Sequence, residues 1–134
     1  MPSIIWMTAP EEHDYPAAAA YLALIAPPAD VDAMIALLRE ASVQRWKAKD
    51  ILRASALPLL PGGNPHVAAD LYKISSGKPL SPALLVRGNV SPWSPLQVAD
   101  GYHRVCASYH TDENADIPCR LVGYCDGGSQ TTGA

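Results

Sequence analysis

Hydrophobic positions along the chain change period several times, and those changes predict its elements. Residues 1–15 show no clear period and read as an extended or irregular arm. Residues 18–26 (AAAYLALIA) are apolar throughout and short, which predicts a buried strand ended by Pro27-Pro28. Asp30 follows as an expected N-cap. Val31, Met34, Ile35 and Leu38 then recur at i, i+3, i+4 and i+7, one face of a helix over 30–41. A second helix is predicted over 44–55, with Ala48, Ile51, Leu52 and Ser55 on its inner stripe and Arg45, Lys49 and Arg53 in a row four apart on another face.

The run 57–63 (LPLLPGG) reads as a rigid loop, and Asn64-Pro65 as an N-cap followed by proline at the first helical position. Val67, Leu71 and Ile74 supply the buried face of that helix, and Gly77 stops it. Beyond it the pattern turns strand-like. Strands are predicted at 83–86 (ALLV) and 96–99 (LQVA), antiparallel if the proline-bearing loop 88–95 closes a hairpin. A helix follows over 101–110 and a last strand over 117–122 (IPCRLV). Residues 126–134 are rich in Gly, Ser and Thr and read as a frayed tail. The expected fold class is α+β, in the order β-α-α-α-β-β-α-β. Residues 1–17 form an arm, 18–123 one domain and 124–134 a tail.

Length and composition agree with one domain. The 134 residues are 49% apolar, enough for a real core, and the thirteen prolines suggest shaped loops between apolar runs rather than disorder. No run of 18 apolar residues predicts a membrane span. The segment 16–28 resembles the core of a signal peptide, but acids rather than bases precede it, so that reading is rejected and a cytoplasmic location is expected. Three cysteines, Cys106, Cys119 and Cys125, without a CxxC spacing indicate neither a disulfide framework nor a zinc site.

Charge is distributed unevenly. The net charge is −3, yet residues 39–104 hold nine bases against four acids, while residues 1–38 hold five acids and no base. A basic middle favours an anionic ligand; the acidic total argues against non-specific DNA binding.

The candidate chemistry lies at Asp100-Gly101-Tyr102-His103-Arg104, where a predicted strand runs into a predicted helix. A helix start offers unpaired backbone N–H groups and the positive end of the dipole, which together attract anions. Gly101 removes a side chain where a ligand oxygen would approach. His103 and Arg104 in the first turn add charge-assisted donors, and the guanidinium fork matches phosphate. The same string also serves as a plain helix cap: Asp100 capping, Gly101 turning, His103 and Arg104 solvated. Elsewhere, Arg45, Lys49 and Arg53 are candidate nucleic-acid contacts or a solvated helix face. Trp46 beside them stacks on a base or packs at an edge. Asn64 is an N-cap or, with His66, reaches a ligand from above. Trp93 between prolines is a lid or a core cover.

With residues 82–87, LQVADGYHRVC at 96–106 and residues 117–122, the chain resembles the ParB/sulfiredoxin superfamily, whose members share a strand, a D-G-x-H-R, G-C-H-R or G-x-R-R turn, and a helix opening on that turn. The resemblance covers about residues 18–123. It implies a small α+β domain that binds a nucleoside phosphate, with Gly101, Tyr102, His103 and Arg104 at the phosphate. Asp100 and His103 would be catalytic, and Mg²⁺ would be held by Asp100 and the phosphates, in phosphoryl transfer or nucleotide hydrolysis. Sulfiredoxins carry their catalytic cysteine where this chain has Tyr102, so sulfiredoxin activity is not expected. The chromosome-partition members add a helix-turn-helix domain; an isolated nucleotide-binding module is expected here. The alternative is a non-catalytic regulatory module of partition, phage or toxin–antitoxin type that binds DNA or a protein partner. A third reading is a structural member whose Tyr102 fills the pocket.

Overall fold

The computed structural model describes residues 3–124. Two helices come first. α1 (Asp14–Leu22) stands where a strand was expected over 18–26. Alanine is the strongest helix former, and in an Ala-rich run it gives no polar contrast from which a period can be read. Only Tyr15, Ala18 and Leu22 of its apolar residues are buried, at helical spacing, and Leu24 and Ile25 beyond it are exposed. α2 (Pro28–Glu40) begins at proline, with Pro27 as N-cap, so Asp30 lies inside the first turn instead of capping it. Val31, Met34 and Leu38 are its buried face, as their spacing requires.

The predicted helix over 44–55 is two elements. β1 (Val43–Lys47) is a strand with all five residues exposed, and α3 (Ala48–Ser55) is the helix that follows. Val43 and Trp46 favour extended backbone, and the strand forms because it pairs antiparallel with the last strand of the chain, a contact invisible locally. Ala48, Ile51, Leu52 and Ser55 are buried on α3.

α4 (Pro65–Ser75) starts as its sequence dictates: Asn64 Oδ1 accepts from the N–H of His66 at 3.0 Å and of Val67 at 3.2 Å. Gly77 follows it at φ +72°. β2 (Ala83–Val86) is buried throughout. The loop expected over 88–95 contains a small hairpin, β3 (Asn89–Val90) and β4 (Trp93–Ser94). β5 (Gln97–Asp100), α5 (Tyr102–Thr111) and β6 (Asp116–Val122) complete the chain. The observed order is therefore α-α-β-α-α-β-β-β-β-α-β. The N-terminal arm is shorter than expected and lies along Leu80, whose N–H donates to Ile5 O and whose carbonyl accepts from Met7 N–H, both at 2.8 Å. The predicted tail at 126–134 and Cys125 lie outside the described residues.

The main sheet has the order β1-β6-β2-β5. β2 and β6 run parallel; the other pairs are antiparallel, including the expected β2–β5 pair. Alternation along β2 fills two cores. Ala83 and Leu85 face α3, α4 and α5, whose Ile51, Val67, Ile74 and Val105 pack with Ile117 and Cys119 of β6. Leu84 and Val86 face α1 and α2, packing with Leu22, Met34 and Leu38. A strand covered on both faces reads as a continuous apolar run, as ALLV does. The protein is thus a mixed α+β domain with five helices among the described residues. No helix among them is long and apolar enough to cross a membrane.

Candidate functional site

β5 delivers the chain to Asp100, and Gly101 turns it into α5 with φ +110° and ψ 13°. That backbone belongs to glycine. A Cβ here would also lie 3.0 Å from Arg104 Nη2 and 3.1 Å from Ala83 Cβ, so the turn is pressed against the start of β2. No side chain caps α5. Val105 is the first helical residue whose N–H reaches a carbonyl, Gly101 O at 2.9 Å. The amides of Tyr102, His103 and Arg104 find no acceptor among the described residues.

Arg104 does not stand free for a ligand. Its Nη2 donates to Asp100 Oδ2 at 2.8 Å and to Pro82 O at 3.3 Å, and lies 3.9 Å from Asp14 Oδ2. The side chain is 17% exposed. Asp14 is buried, and its Oδ2 accepts from Ser81 Oγ and from the N–H of Glu11 at 3.2 Å. The guanidinium therefore ties the end of β5, the start of α1 and the lead into β2 together. Its buried Nε has no partner, but neither has that of Arg120, so this orphan does not single out a site.

This link holds Arg104 and Asp100, both expected at the ligand, against each other. One arm of the fork, Nη2, is engaged by a carboxylate of its own chain. Burial, against the pull of Arg104, pushes the Asp100 carboxyl above its ordinary value. Among the described residues no group of three His, Cys, Asp or Glu is placed to hold a metal. Asp100 is the one protein carboxylate expected at the cation, with ligand phosphates completing its shell, and no step is assigned to the cation.

Tyr102 turns away from the mouth: its hydroxyl donates to Pro58 O at 2.6 Å in the loop before α4. His103 turns toward α4. Its ring centroid lies 4.7 Å from that of His66, tilted by 41°. Burial first, then His66, pulls the His103 pKa below its ordinary value, while Asp70 acts in the opposite direction. Asp70 stands one turn beyond His66 on the same helix. Burial raises its pKa against the lowering influence of Arg104, Lys73, His103 and His66.

The structure thus assembles His66, Asp70 and His103 beside the open end of α5. Asp70 was missed by sequence reasoning. The signal was present in His66-x-x-x-Asp70, whose spacing puts both side chains on one face of α4. Asn64 is engaged as the N-cap and does not join the cluster.

The basic row is not brought together. Arg45 is on β1, in a hollow with Trp6, Asp112 and Asp116. Lys49 and Arg53 are on α3, in a separate depression with Tyr109 and Glu113, and Arg53 pairs with Asp50 at 3.1 Å. Cys106 and Cys119 are buried thiols, and burial pushes Cys119 up to about 12.

Comparison of the chain with protein-family models, with curated proteins and with solved structures finds no match.

Proposed function

We propose that the mouth of α5 binds the phosphate of a small phosphorylated ligand, of nucleoside-phosphate class. The observation that carries this reading is the uncapped helix start with His103 and His66 beside it. Free amides and the dipole end attract an anion, and the imidazoles supply directed donors. The likeness of the Asp100–Arg104 turn to the ParB/sulfiredoxin superfamily supports the same ligand class. Arg104 acts indirectly, by locking the turn that exposes the amides.

The chemistry proposed on the bound phosphate is phosphoryl transfer or hydrolysis, which needs positioning and charge stabilisation more than covalent help. Proton acceptance falls to His103 in place of Asp100. Burial keeps its imidazole neutral near pH 7, the state that takes a proton, and Asp70 stabilises the cation then formed. Nothing in the geometry favours the DNA-binding alternative, because its three cations are split between two depressions.

Calorimetry and phosphorus NMR with inorganic phosphate, ADP, ATP and CTP, with and without Mg²⁺, test the proposal. Saturable binding is expected to at least one nucleotide, weakened about tenfold or more in His103→Ala. A folded sample that binds none of them, or a His103→Ala variant that binds unchanged, overturns it.

A further inference from the structure

Another hollow lies at the opposite end of β2 from the α5 mouth. Its volume is about 380 Å³, within the range of small-molecule pockets. Ile51, Leu85 and Leu121 form its apolar floor. Trp46 of β1 and Trp93 of β4 line it, with 42% and 63% of their surface exposed. Ala83 beside the mouth and Arg87 at this hollow are four residues apart along extended chain, ~13 Å. The two places are therefore separate sites.

The placement of Trp93 is built into the backbone. The hairpin carrying it folds back on Gly88, where a Cβ would run into Ser94 O and come within 2.6 Å of Pro95 O. Only glycine lets the stem of the hairpin close against residues 94 and 95, which holds Trp93 at the rim of the hollow.

Two charges line the hollow, Asp50 and Arg87. Asp50 is already paired with Arg53. The guanidinium of Arg87 has no hydrogen-bond or ion-pair partner among the described residues. An apolar floor, two indoles and one unmatched cation define a complement: a planar apolar body ending in one negative charge.

We propose that this hollow is a binding site for a small aromatic carboxylate, its ring against Trp46 and Trp93 and its carboxylate on Arg87. Arginine offers two parallel N–H donors that match a carboxylate, and each indole offers a flat apolar face to the ring.

The test is titration calorimetry on the full chain with indole-3-acetate, phenylacetate and the uncharged indole-3-acetamide. Arg87→Gln and Trp93→Ala are compared with the unaltered protein, and circular dichroism verifies that each is folded. Both side chains are exposed, so neither change removes core packing. Saturable binding of an acid is expected, tighter than that of the amide. Arg87→Gln should lose about tenfold or more for the acid and leave the amide unchanged. Trp93→Ala should weaken both. Absence of saturable binding for both acids, equal affinity for acid and amide, or affinity that survives either substitution overturns the proposal. Inorganic phosphate should not compete, and competition would likewise overturn the separation of the two sites.

Discussion

Gly101 shows how much of the mouth rests on one residue. Its φ of +110° is strained for any side chain, and a methyl group there would press on Arg104 and Ala83. Gly101→Ala should therefore lower stability by ~1–3 kcal/mol, read as a shift in the urea midpoint at constant slope. Arg104 is the complementary case. Arg104→Met leaves Asp14 and Asp100 facing one another without a counter-charge, and the expected loss is ~3 kcal/mol or more. Arg104→Lys should recover part of that loss, since the charge returns but the fork does not. His103 contributes to the pH dependence of stability. Because its folded pKa lies below the ordinary 6.5, the unfolded chain takes up the proton first. Its linked stability is present above that value and is lost as pH falls through it toward the folded pKa. Asp70 and Asp100, raised from 3.8, act with the opposite sign: they favour the folded state at low pH, and this contribution fades as pH rises through their folded values. His103→Gln should flatten the decline in the urea midpoint between about pH 7 and pH 5.

At the level of elements, α4 is the one whose start is written in a dipeptide. Asn64 caps it and Pro65 occupies its first position. Asn64→Ala should cost ~1 kcal/mol by thermal or urea melt and loosen the packing of His66 beside His103. The strand ALLV, the β2–β5 pair and the helix opening at Gly101 were equally readable, because each has a period or a breaker of its own. Elements defined by partners were not. β1 has no buried residue, so no burial period marks it; pairing with β6, more than sixty residues later, makes it a strand. α1 hid behind alanines whose apolar character carries no direction. The site divides in the same way. Its turn was legible from five consecutive residues. The pairing of Arg104 with Asp100 lies at a local i,i+4 spacing, but its contacts with Asp14, ninety positions earlier, and with Pro82 have no local signal.

For the whole molecule, β2 is the common support. It packs into both cores, carries Ala83 against the turn at one end, and leads into Arg87 at the other. Leu84 is fully buried on the α1–α2 side, so Leu84→Ala should cost ~2–5 kcal/mol. A ligand bound only by the folded state adds stability by mass action, about 2.7 kcal/mol at a hundredfold excess over its Kd. A nucleotide at the mouth should raise the melting temperature accordingly, and the rise should be smaller in His103→Ala.

The outer side of β1 has a consequence for solubility. It is the margin of the main sheet, and its unpaired N–H and C=O groups can template a strand from another molecule. Arg45 and Lys47 sit on that margin as like charges that would repel in a symmetric pairing of two β1 strands. Replacing both by valine should increase self-association, visible as a concentration-dependent rise in light scattering. The two cations then earn their place by keeping neighbouring copies apart.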